Sequence, residues 1–149
     1  MGRWEDKPMK QFSVQMIDTS ISSHWWKEII EHFIRVGDIY EIRCWREETS
    51  EIEQASLYGT AVDDKFEVSI KGTVTKELLE KLLTEEPTDK SIYNKMTKYL
   101  TIHVRNDLCD IWSEHYGTEM VINITSDTDI DFFKQVMGQY SESFRIGIC

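Results

Sequence analysis

Glycine and proline are scarce in this chain, at 7 and 2 of its 149 residues. So low a content excludes collagen-like and Pro/Gly-rich disordered sequences. Cysteine is scarcer than a disulfide framework needs: Cys44, Cys109 and Cys149 are an odd set, unlike the paired cysteines of a small secreted domain. Long apolar runs are missing too. Stretches such as Met120-Val121-Ile122 fall far short of the ~20 residues that span a bilayer. Residues 1–9 are polar and contain Pro8, so they read as a loose tail without a secretory signal, ahead of one domain over residues 10–149. Asp6 stands where N-myristoylation wants Ser or Thr, and Cys149 lacks the following residues that prenylation requires. The expected compartment is cytoplasmic.

Basic residues are in the minority, with 17 Lys and Arg against 27 Asp and Glu and a formal net charge of -10. A field of that sign repels phosphate backbones and anionic lipid, which argues against nucleic-acid and membrane partners. Linear catalytic signatures are absent as well: there is no Gly-rich phosphate loop, Gly-x-Ser-x-Gly elbow, Cys-x-x-Cys pair or His-Glu-x-x-His.

What is present is the composition of a globular domain, 40% hydrophobic and 30% charged. Phe12, Val14 and Met16 alternate as a strand does. Ser22 or Ser23 is placed to cap a helix carrying Trp26, Ile29, Ile30 and Phe33 on one stripe, with Gly37 beyond its end. Residues 39–47, 52–62 and 66–74 read as three strands of an antiparallel meander, the last two joined by a tight turn at Val62-Asp63-Asp64-Lys65. Thr75 can cap a helix bearing Leu78, Leu79, Leu82 and Leu83, which Pro87 must stop.

Residues 91–98 suggest helix and 99–105 strand. The spacing of Leu108, Ile111 and Trp112 slightly favours helix over strand for residues 107–116. Residues 119–125 alternate as a strand, and Ser126 with Asp129 resembles a capping box opening a helix with Ile130, Phe133, Val136 and Met137. Residues 144–148 complete the chain as strand. The expected fold is α+β: a mostly antiparallel sheet of about six or seven strands with three to four helices packed against it.

The negative charge is clustered. Residues 47–64 hold Glu47, Glu48, Glu51, Glu53, Asp63 and Asp64 without a Lys or Arg, and residues 106–142 hold eight carboxylates against Lys134 alone. Such clusters either keep a protein soluble or speed its encounter with a basic partner. Aromatic residues interleave with them. Trp45 shares the polar face of its strand with Glu41 and Arg43, and exposed Trp is a favoured interface anchor.

Other constellations carry less chemistry. His24, Glu28 and His32 line one helix face, but the histidines lie about 12 Å apart along the axis, too far for one ion. Asp127, Asp129 and Asp131 imitate a calcium loop, yet Phe132 and Gly138 stand where Gly and Glu are required. Acids in the first turn of a helix are explained by its dipole. His103, Cys109 and His115, with acids nearby, are the one set that would support an activated nucleophile.

The leading expectation is a binding protein that docks a basic protein partner. A concrete form is a bacterial immunity protein (antitoxin), the inhibitor of a cationic toxin domain such as a nuclease. Its contact residues would be Trp45, Glu47, Glu48, Glu51 and Glu53, then Asp107, Asp110, Trp112 and Glu114. No cofactor, metal or catalytic residue is expected. The alternative is a small enzyme or ligand-binding domain around His103, Cys109 and His115.

Overall fold

The computed structural model describes residues 9–87 and 94–148. Along the chain these form β1 (Lys10–Met16), α1 (His24–Phe33), β2 (Ile39–Trp45), α2 (Thr49–Ala55), β3 (Thr60–Asp64) and β4 (Glu67–Thr73). Then come α3 (Lys76–Thr84), β5 (Thr101–Arg105), β6 (Cys109–Glu114), β7 (Glu119–Ile124), α4 (Asp127–Gly138) and β8 (Phe144–Ile148). The strands build one sheet in the order β3-β4-β2-β5-β6-β7-β1-β8, antiparallel at every pairing. The described residues form an α+β domain with four helices and eight strands, slightly more strands than the periodicity suggests. No helix among the described residues is long and apolar enough to cross a membrane.

Period-two alternation decides which face the helices cover. Tyr40, Ile42 and Cys44 of β2 turn inward, while Glu41, Arg43 and Trp45 turn out. The register carries the inward row across the sheet: Ile42 faces Ile70 on one side and Ile102 on the other, and Ile111 faces Val104 and Ile122. Trp25, Trp26, Ile29, Ile30 and Phe33 of α1, with Leu78, Leu82, Phe133, Val136 and Met137, join that row in a single core. Both buried indoles are satisfied, Trp25 donating to Met96 Sδ (3.1 Å) and Trp26 to Ser113 Oγ (3.0 Å). Buried Trp needs such a partner.

Thr75 and Ser126 cap α3 and α4, accepting from the backbone N–H of Leu78 and Asp129. α1 stops at Phe33, with Ile34 already extended, and Gly37 takes a φ of +100° in the turn to β2.

Three expectations need correction. Residues 52–62 are not one strand: Ile52 and Ala55 lie three apart and both face the core from α2, a spacing a helix provides and a strand does not. The middle strands therefore form no meander in chain order. β3 hairpins onto β4 through Lys65 at φ +59°, and β4 then pairs with β2. Within residues 107–116 there is strand, not helix: β6 covers Cys109–Glu114, with Cys109, Ile111 and Ser113 inward and Asp110, Trp112 and Glu114 outward. The inward polar residue, Ser113, hides the alternation and is stabilised by Trp26. Of the proposed helix at 91–98, residues 91–93 lie outside the described residues, and 94–98 are irregular chain leading into β5.

Candidate interaction surface

The second face of the sheet carries no helix among the described residues. Its outward side chains form rows set by the register. One row runs Ser69, Arg43, Thr101, Glu114, Glu119 across β4, β2, β5, β6 and β7. The next runs Lys71, Glu41, His103, Trp112, Val121.

At the β4–β2 side, Arg43 is a charge hub. Its Nε, Nη1 and Nη2 donate to Glu67 (2.7 Å), Glu41 (2.8 Å) and Asp64 (2.5 Å). The three carboxylates hold its guanidinium pKa above the ordinary arginine value. Burial pushes the Glu41 carboxyl upward, but the Ser69 hydroxyl and Arg43 more than reverse it and leave it lowered. Arg43 likewise lowers Asp64. A shallow pocket of about 470 Å³ lies over this hub, lined by Thr60, Val62 and Lys71 besides the charged groups.

In the middle of the face His103 stacks on Trp112, ring centroids 3.6 Å apart, with its Nε2 2.5 Å from Asp110 Oδ1. Cross-strand placement brings these together: Trp112 is directly opposite His103.

At the end where β2 finishes and β6 turns into β7, two segments distant in sequence meet. Glu48 accepts from the Trp45 backbone N–H (2.8 Å) and from the Tyr116 hydroxyl (3.0 Å). The turn itself is strained, His115 and Tyr116 both having positive φ (50° and 60°). Tyr116 is nevertheless buried, with the Lys95 ammonium 4.2 Å from its ring centroid. Trp45, 39% exposed, closes this end on the outer face. Glu114 and Glu119 stand directly opposite each other across β6 and β7, with His115 Nδ1 against the Glu119 carboxylate.

The contact residues expected from sequence are thus sorted by the fold. Trp45, Glu47, Glu48 and Glu114 gather at one end. Strand spacing and rise put the Cα atoms of Trp45 and Glu114 about 12 Å apart. Asp110 and Trp112 lie on the same face towards the other end. Asp107 belongs to that far end, in the β5–β6 loop, paired with Arg35 at 2.8 Å. Glu51 and Glu53 sit on α2, in the helix layer. Of the acids in 47–64, Asp63 and Asp64 are paired with Arg46 (3.5 Å) and Arg43. Glu119 belongs to the acidic block of residues 106–142, but its place opposite Glu114 and the Glu48–Tyr116 link were not legible in sequence.

The residues of the enzymatic alternative are dispersed. His103 is on the outer face, His115 is in the β6–β7 turn, and Cys109 faces the helices, fully buried. Burial raises the Cys109 thiol well above its ordinary pKa, with Asp38 and Asp110 adding to it, the reverse of an activated nucleophile. Cys44 is similarly pushed up to about 12, by burial and then by Glu48 and Glu51.

His24 pairs with Glu28 (3.2 Å), whereas His32 turns to α4, 2.9 Å from Asp129 and stacked on Phe132. Among the described residues no three His, Cys, Asp or Glu side chains converge as metal ligands would. Comparison with family models, with curated proteins and with solved structures returned no significant match.

Proposed function

We propose that this chain is a binding protein that docks a basic protein partner at the Trp45–Glu114 end of its open sheet face. Its concrete form is an immunity protein that neutralises a cationic toxin domain such as a nuclease. The Glu114–Glu119 pair carries this reading. Like charges directly opposite in a sheet destabilise it; His115 meets the Glu119 carboxylate, and an Arg or Lys from a partner would further offset the cost. Trp45 supplies the apolar anchor beside the charges, and Glu47 and Glu48 extend the negative rim. A net charge of -10 would draw a basic partner in from a distance.

The test is capture from the native cell on immobilised chain at low and high salt, comparing wild type with Glu114→Lys/Glu119→Lys, Trp45→Ala and Asp107→Lys. The expected result is a basic protein that salt releases. The double reversal should slow its association at least ~10-fold at low salt, Trp45→Ala should speed dissociation, and Asp107→Lys at the far end should change little. The captured protein's toxic activity should fall to background with one equivalent of chain. Equal retention by the double reversal, or no basic protein held at any salt, overturns the proposal.

A further inference from the structure

Among the described residues the sheet has two edge strands, β3 and β8, and they are protected differently. β3 ends in Asp63 and Asp64, and all five of its residues are exposed; charge of this kind blunts an edge against further pairing. β8, Phe-Arg-Ile-Gly-Ile, has one charge, no proline and no carboxylate. β1 pairs with one side of it, so the outward N–H and C=O groups of its other side line the rim of the sheet. Its helix-side row is Phe144, Ile146 and Ile148. Phe144 is buried with its ring edge-on to Trp25, while Ile146 and Ile148 are 37% and 60% exposed at the margin of the core.

We infer that β8 is a self-association edge: a second copy of this chain pairs antiparallel along it, extending the sheet through a two-fold axis. Antiparallel self-pairing is isologous and closes at two copies. The sequence of β8 also selects a register. With the axis at Ile146, Phe144 faces the second copy's Ile148 and Ile146 faces its own equivalent. The four exposed isoleucines then extend both cores as one row. In that register Arg145 lies opposite Gly147, where no side chain obstructs the guanidinium. Shifting the axis to Arg145 would set two arginines directly against each other, which is unfavourable. At Gly147 itself an added Cβ would meet Ser13 Oγ at 2.8 Å, so this position stays bare. The apolar self-match and the avoidance of an arginine–arginine contact thus favour one register, and the opposite edge, carrying Asp63 and Asp64, is guarded against the same use.

The experiment is sedimentation equilibrium on the full chain in reductant, so that a Cys149 disulfide contributes nothing. The expected mass at high concentration is twice the 17.6 kDa of the chain. Ile146→Lys, which places two lysines across the axis, should return the monomer mass with unchanged circular dichroism. Val62→Lys on the β3 edge should leave the dimer intact. Hydrogen exchange on the wild type gives an independent reading: amides of β8 should be protected at high concentration and lose protection on dilution, with those of β3 unaffected. A monomer at all concentrations, a dimer indifferent to Ile146→Lys, or concentration-independent exchange in β8 would each overturn the inference.

Discussion

Replacing Arg43 by Met keeps the length of the side chain and removes the charge that three carboxylates share. Arg43 is partly exposed, its side chain retaining 23% of its accessible surface, while Glu41 and Glu67 retain 18% and 28%. Hydrogen bonds to charged groups contribute about 1.5–3 kcal/mol each when shielded, and solvent screening moves partly exposed ones to the low end or below. Counting only the bonds to Glu41 and Glu67, the loss at neutral pH is about 2–3 kcal/mol. For a chain of this size that corresponds to a fall in Tm of roughly 5–10 °C.

The pH dependence distinguishes this from simple loss of packing. The folded pKa values of Glu41 and Asp64 are held below their ordinary 4.5 and 3.8. Their stabilisation is therefore complete above those values and lost as pH falls through the lowered folded ones. Urea unfolding followed by tryptophan fluorescence should show the gap between wild type and Arg43→Met at pH 7 narrowing below about pH 4. A gap under ~0.5 kcal/mol at pH 7, or one that is the same at pH 3, would refute the account of Arg43 as a charge hub.

Three further outcomes are expected. Ser113→Ala strands the Trp26 indole N–H in the core and should cost about 1–3 kcal/mol, read from urea midpoints; wild-type stability would show that this bond contributes nothing net. Gly117→Ala meets both a φ of +84° and a Cβ position 2.7 Å from Met96 Cβ; it should destabilise by about 2–4 kcal/mol, checked by thermal unfolding. In a Cys149→Ser chain, Cys44 and Cys109 should resist a thiol reagent at pH 8 until denaturant is added, because burial holds both thiols protonated.

Much of this architecture is legible in the sequence where one physical signal acts alone. The alternation of Tyr40, Ile42 and Cys44 and the caps Thr75 and Ser126 each follow from local chemistry, as does the existence of the β3–β4 hairpin, although its turn falls at Lys65–Phe66 and Val62, Asp63 and Asp64 belong to β3. Legibility fails where signals compete. In residues 107–116 the apolar spacing suits a helix, and the strand emerges only once Ser113 is allowed inward by a tryptophan 87 positions away. Ile52 and Ala55 mark a helix so short that a strand absorbs them equally well on paper. The interaction surface was legible in residue type and not in assembly. Glu114 and Trp45 stand out in the chain, but their convergence depends on strand order and on the Glu48–Tyr116 contact, which spans 68 positions.

Placing β1 between β7 and β8 has a consequence for how the molecule comes into being. Of these eight strands the first to be synthesised has both of its neighbours in the last third of the sequence. Roughly a hundred residues separate it from β7, which at ~5–20 residues per second is a wait of several seconds to about twenty. The apolar row of Phe12, Val14 and Met16 is without its final cover throughout that interval. Closure of the sheet is thus a late, long-range event, the kind that slows folding more than it alters final stability.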